Sequence, residues 1–212
     1  MSSSPVVKLG PWGGDDGVAH DITVAPQRLE SITIRWGKVL DSVAFTYRDK
    51  DNQLHTAGPW GGAGGEKEDP DTITLGPSEY ITQVDWSVGP FKLKEIEHCI
   101  TSLKFVTNQA SYGPFGYAVD STHYSLPVLN NGSVVGMFGR AGDYLHAIGF
   151  YVLPETSSRK SKMGQESNPL SLQQTEELET SEPTTSIHIK SYIDILQKNK
   201  DVMDLLDANS DG

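Results

Sequence analysis

Residues 58 to 65 read GPWGGAGG, and only two of the eight, Pro59 and Trp60, carry a side chain larger than a methyl group. The pattern returns as GPWGGDDG at Gly10 to Gly17 and as GPFGYAVD at Gly113 to Asp120. The three starts lie 48 and 55 residues apart, about the length of a four-strand unit. A repeat on the scale of roughly 20–50 residues marks an internally symmetric fold, and three sheets around a pseudo-threefold axis fit this one. The glycines also carry a chemical meaning. Backbone N–H groups can approach a ligand oxygen to about 3 Å only where no Cβ intervenes, and tight turns with positive φ make the same demand. Phosphate cradles use glycine too, but neither GxxxxGK[ST] nor a strand-GxGxxG-helix arrangement is present. Trp12 and Trp60 are large enough to serve as stacking platforms for a ligand, yet large aromatic residues beside such turns are expected more often to plug the core.

Working outward from the repeat, the residues before Pro154 alternate in polarity. Ile32, Ile34 and Trp36 face one way and Ser31, Thr33 and Arg35 the other; Val43, Phe45 and Tyr47 alternate likewise with Ser42, Ala44 and Thr46. Period two is the signature of half-buried strands. Similar runs stand at 73–75, 80–86, 103–106, 134–138 and 147–153, bounded by turn clusters such as Asn130-Asn131-Gly132. These features predict an all-β domain over residues 5–154. Residues 155–185 turn to Ser, Thr, Glu, Gln and Lys, too poor in large apolar groups to offset the entropy of ordering, and are expected to form a disordered linker. Residues 186–212 form a tail in which Tyr192, Ile193, Leu196, Met203 and Leu206 recur at helical spacing, predicting a short amphipathic helix.

The bulk composition narrows the function. A chain of 212 residues with net charge −11 and pI near 4.9 offers no basic face for a phosphate backbone, so nucleic acid is not an expected partner. The opening MSSSPVVKLG lacks a basic region followed by an apolar run, and no stretch reaches the 18 or so apolar residues of a membrane helix. A cytoplasmic location, with the nucleus as the other compartment, is the expectation. The single cysteine, Cys99, cannot form an internal disulfide, and the sequon at Asn131 would not meet the glycosylation machinery there.

GPWGG near the start, GPWGGAGG in mid-chain, YGPFG at 112–116 and GRAGDYLHAIGFYV at 139–152, in this order and spacing, resemble the jacalin-related lectins of plants, in particular the mannose-specific type. The resemblance covers roughly residues 6–154. It implies a β-prism of three four-stranded Greek-key sheets and reversible binding of mannose- or glucose-type glycans without metal, cofactor or catalysis. It implies further that each site pairs a glycine loop with a G-x-x-x-D hairpin, whose Asp accepts from sugar hydroxyls while neighbouring amides donate. A carboxylate suits this role because it is acceptor-only and takes two hydrogen bonds side by side.

On this resemblance the first site comprises Gly17 facing Asp143, Tyr144, Leu145 and His146. Here the chain departs from the family, because His146 stands where the Asp is expected and Asp15-Asp16 stands where glycines are common. A neutral imidazole has one acceptor nitrogen at most, and losing a charge-assisted hydrogen bond costs on the order of 1.5–3 kcal/mol. The second site keeps its Asp: GKVLD at 37–41 supplies Lys38, Val39 and Asp41, facing the loop that ends in Gly65. In the third repeat GPFKLKE at 89–95 lacks the Asp, and a structural role is expected. The competing reading is a β-prism interaction module that has lost sugar binding at His146. A homo-oligomer is compatible with either. DANSDG at 207–212 matches the first half of an EF-hand loop without its Glu at the twelfth position, so no calcium site is expected.

Overall fold

The computed structural model describes residues 5–154 and the backbone of residues 186–188. The strands of the first half are β1 (Val7–Gly13), β2 (Val18–His20), β3 (Arg28–Trp36), β4 (Leu40–Arg48), β5 (Leu54–Gly61) and β6 (Asp71–Thr74). Those of the second half are β7 (Ile81–Phe91), β8 (Ile96–Thr107), β9 (Ser111–Gly116), β10 (Thr122–Pro127), β11 (Ser133–Ala141) and β12 (Leu145–Leu153). A further strand, β13 (Ser186–His188), pairs parallel with β10. One 3-10 turn, Lys92–Lys94, interrupts the β pattern.

The pairing resolves into three four-stranded units. One has the order β5-β4-β3-β6, a second β9-β8-β7-β10, and the third β1-β12-β11-β2. In the first two, three consecutive strands run as hairpins and the fourth returns beside the first, which is a Greek key. The third has the same order, except that the chain begins inside it: β11 and β12 form the central hairpin, and β1 and β2 flank it. The sheets containing β7 and β11 meet at a single ladder contact, Val134 with Ile81. This is the three-sheet β-prism expected from the sequence.

Alternation drives the closure. The inward positions of the central hairpins (Ile32, Ile34 and Phe45; Ile81, Trp86 and Phe105; Met137, Ile148 and Phe150) are at most 2% exposed and merge into one core. Burying each such side chain contributes roughly 1.5–3 kcal/mol. Trp60 belongs to this core, edge-on to Phe45 at 5.5 Å, and Trp12 packs against it 5.0 Å from Trp86. Both tryptophans therefore fill corners of the prism.

Each GP[WF]G motif occupies an edge strand, β1, β5 or β9, with its second glycine pressed on the neighbouring hairpin. A Cβ on Gly13 would fall 2.2 Å from the His146 carbonyl oxygen, and on Gly61 2.0 Å from that of Asp41. On Gly116 it would fall 2.3 Å from the Thr101 carbonyl oxygen. All three glycines have positive φ, so the repeat read in the sequence is one backbone conformation used three times. The linker over residues 155–185 and the helix expected beyond residue 188 lie outside the described residues, as does DANSDG.

Candidate functional site

The same bulge recurs in all three central hairpins. Arg35 pairs with Ser42 and Trp36 with Leu40, leaving Asp41 as the extra residue. Arg140 pairs with Ala147 and Ala141 with Leu145, leaving His146. Ser87 pairs with Ser102 and Val88 with Ile100, leaving Thr101. A bulge re-aims the extra side chain and ends regular pairing. One backbone position thus presents a carboxylate, an imidazole and a hydroxyl in turn.

At Asp41 the hairpin turn closes through the Gly37 N–H, which donates to the Val39 carbonyl at 2.9 Å and leaves the Lys38 and Val39 amides outside that bond. The facing loop is tied down by the Gly62 N–H donating to the Asp41 carbonyl at 3.0 Å and by the Glu66 N–H donating to the Trp36 carbonyl at 2.9 Å. Between these ties the loop lies flat on the carboxylate: a Cβ on Gly64 would come within 2.4 Å of Asp41 Oδ1. Gly65, with φ +129, brings its backbone against Trp36. Asp41 is 6% exposed, and no described side chain or amide donates to its carboxylate. Its oxygens are not among the sealed, unpartnered polar atoms, so their lone pairs remain reachable from the surface. Burial raises the Asp41 pKa above the ordinary carboxylate value, and the Arg35 charge opposes that rise. The structure therefore brings Lys38, Val39, Asp41 and Gly65 together. Val39 is buried, and both it and Lys38 border the neighbouring cleft.

The first site has the same frame with different chemistry. Gly142 N–H donates to the Tyr144 carbonyl at 3.1 Å, matching the turn bond at Gly37. Gly14 N–H donates to the His146 carbonyl at 2.9 Å, matching the tie at Gly62. Gly17 sits against Ala141 and Gly142, where a Cβ would meet backbone at 2.5 Å. Gly17, Asp143, Tyr144, Leu145 and His146 are thus gathered, but the side chain of Leu145 is in the core and only its backbone borders the site. His146 is 6% exposed, and its Nδ1 is sealed without a partner. That leaves Nε2, the nitrogen nearer Gly142, as the ring nitrogen turned toward the opening. A neutral imidazole can make one hydrogen bond there, where the second site offers a carboxylate. In addition, Asp16 occupies the loop position that Gly64 holds beside Asp41.

In the third repeat the bulge hydroxyl is already engaged. Thr101 Oγ1 is 2.7 Å from both Ser87 Oγ and Ser121 Oγ. The hairpin also continues past the bulge, with Gly89 paired to Cys99 and Phe91 to Ile96. The sequence reading found no Asp here but did not identify Thr101 as the equivalent residue, because the longer hairpin displaces the motif.

Two arginines escaped sequence reading. Arg140 donates to the backbone carbonyls of Asp15, Asp16 and Gly17, at 3.0, 3.3 and 2.8 Å. Arg35, at the matching register position, donates to the Glu68 carbonyl at 3.0 Å. Each clamps a site loop to its hairpin. The only available signal was their common place two residues before the turn glycine, which has no meaning until the hairpins are superposed.

The three clefts share one end of the prism. Gly62 abuts the backbone of Asp143, Gly14 that of His98, and the Tyr117 N–H donates to the Lys38 carbonyl at 3.2 Å. Three Greek-key sheets with glycine loops set against hairpin bulges at one end define the β-prism class of lectin fold. The chain belongs to the jacalin-like lectin domain family, which residues 9–151 match. It is 41% identical over 152 residues to horcolin of Hordeum vulgare subsp. vulgare, an alignment covering 71% of this chain and 99% of horcolin. It is 42% identical over 156 residues to a mannose/glucose-specific lectin of Parkia platycephala, covering 71% of this chain and 33% of that longer protein. A mannose-binding jacalin-related lectin from Ananas comosus superposes with a TM-score of 0.65 at 37% identity, covering 71% of this chain and 99% of that one.

Proposed function

We propose that the protein is a reversible, non-catalytic lectin for mannose- or glucose-type glycans, and that its principal site lies between Gly37–Asp41 and Gly61–Gly65. The observation that carries this reading is the Asp41 carboxylate, largely buried and without a donor among the described residues. A buried acceptor left open is unfavourable unless a ligand supplies the missing donors, and two adjacent sugar hydroxyls do so. The glycine loop lets its backbone approach the same sugar from the other side. The names of horcolin's Parkia counterpart and of the Ananas structure, one mannose/glucose-specific and the other mannose-binding, support the choice of sugar. Isothermal titration with methyl α-mannoside tests it. Wild-type protein binds; Asp41→Ala weakens binding roughly ten- to a hundred-fold, as expected for losing a charge-assisted hydrogen-bond pair. Unchanged affinity in Asp41→Ala would remove Asp41 from the site.

A further inference from the structure

β2, β6 and β10 hold the same edge of the three sheets, and β10 differs from the other two. β2 has three residues and β6 has four, the latter opening on Asp71. Short length and charge both blunt an edge against further pairing. β10 has six residues, THYSLP, with no Asp, Glu, Lys or Arg among them. Its own protection is limited to Pro127 at the end.

Register fixes which groups that edge presents. The Val128 N–H donates to the Thr82 carbonyl at 2.8 Å, and β10 pairs with β7 without a shift from Thr122 with Val88 to Pro127 with Gln83. Antiparallel partners alternate between hydrogen-bonded and open pairs. Tyr124 and Leu126 therefore point their N–H groups at β7, and His123 and Ser125 point theirs outward. β13 runs along these groups in parallel, with His123 in register with Ser186, Tyr124 with Ile187 and Ser125 with His188. In a parallel ladder of this register the Ile187 N–H faces the His123 carbonyl, and the Ser125 N–H faces the Ile187 carbonyl. A groove of about 650 Å³ borders the same three β10 residues, with Asp85, Lys104 and Tyr117 among its other walls.

We propose that the β10 edge is a strand-docking site for an extended peptide, and that the chain's own Ser186–His188 occupies it in cis. Two considerations choose this occupant. A parallel partner needs a connection of roughly a dozen residues or more, and about 30 separate β12 from β13. A random coil of that length spans roughly 30 Å, and a tether of that reach gives an effective concentration on the millimolar scale. The same segment on another chain competes only at comparable concentration. In strand addition the main-chain bonds supply affinity, and a groove beside the edge supplies selectivity. The tail thus closes the second sheet against strands from other molecules.

Amide hydrogen exchange by NMR on the full chain tests this, in wild-type protein, in Ile187→Pro and in Thr180→Pro. Proline at 187 removes the central donor of β13, and the change lies outside residues 5–154, so folding of the prism is not at stake. The expected result is about tenfold faster exchange at His123 and Ser125 in Ile187→Pro than in wild type or Thr180→Pro, with Tyr124 and Leu126 unchanged. A labelled peptide of residues 183–191 is expected to bind Ile187→Pro about tenfold tighter than wild type, whose edge is already filled. Equal exchange at His123 and Ser125 in wild type and Ile187→Pro would overturn the docking, as would equal peptide affinity. Protection in wild type that grows with protein concentration would place a second copy's strand on the edge and overturn the assignment in cis.

Discussion

Asp41 and His146 occupy the same backbone position, and the difference between them is one of hydrogen-bonding capacity, a carboxylate against a ring with one nitrogen sealed. Burial holds the Asp41 pKa above its unfolded value, so the ionised carboxylate destabilises the folded state. That cost is absent below the unfolded pKa, develops as pH rises through the two values and is complete at neutral pH. Asp41→Asn is therefore expected to raise the melting temperature at pH 7, to lose this advantage below about pH 4, and to lose sugar binding; thermal scans of both proteins across that range check it. A lower melting temperature at pH 7 would contradict the burial argument. At the first site, the double change His146→Asp with Asp16→Gly recreates the arrangement at Asp41 and Gly64. It is expected to raise the sugars bound per chain in titration from about one to about two. Unchanged stoichiometry would show that the imidazole is not what separates the two sites. The identities at 41 and 146 were legible in the sequence from G-x-x-x-D spacing. The direction of the histidine was not, because the sealing of Nδ1 depends on surroundings distant in sequence.

At the scale of elements, the central hairpins were readable and the flanking strands were not. β3 and most of β4 alternate apolar and polar residues because one face of each is packed in the core, whereas β11 and β12 read as apolar runs and are buried along nearly their whole length. β1, β5 and β9 carry the Gly-Pro motifs, which read as turns but pair as edge strands with a register shift at each motif. Edge positions tolerate proline because one side of the ladder is free. The second glycine of each motif lets edge strand and hairpin meet. Gly61→Ala puts a Cβ 2.0 Å from the Asp41 carbonyl at φ +125, and is expected to destabilise the protein by about 2–4 kcal/mol, combining backbone strain and overpacking. Chemical denaturation measures this, and a loss under about 0.5 kcal/mol would mean that the strand can withdraw.

For the whole molecule, one core joins three sheets, so local opening in any of them exposes the others. Cys99 offers a probe. It is fully buried, its Sγ–H donates weakly to the Gly89 carbonyl at 3.6 Å, and burial pushes its pKa up to about 12. Ellman's reagent at pH 8 is expected to leave the native thiol unmodified and to titrate it completely in concentrated urea, with rates that follow the opening equilibrium. Rapid modification of native protein would show that β8 opens independently of the core.

By itself the sequence determined that residues 5–154 are all-β, that they are built three times on one pattern, and that one G-x-x-x-D segment keeps its carboxylate while its counterpart ends in His146. Those properties reside in spacing and alternation, which are local and survive in a linear reading. Only the tertiary structure decided that Thr101 is the third member of the Asp41 and His146 set and that Arg35 and Arg140 clamp the loops. Each of these depends on which strand lies beside which, and that follows from closing three sheets on a shared core.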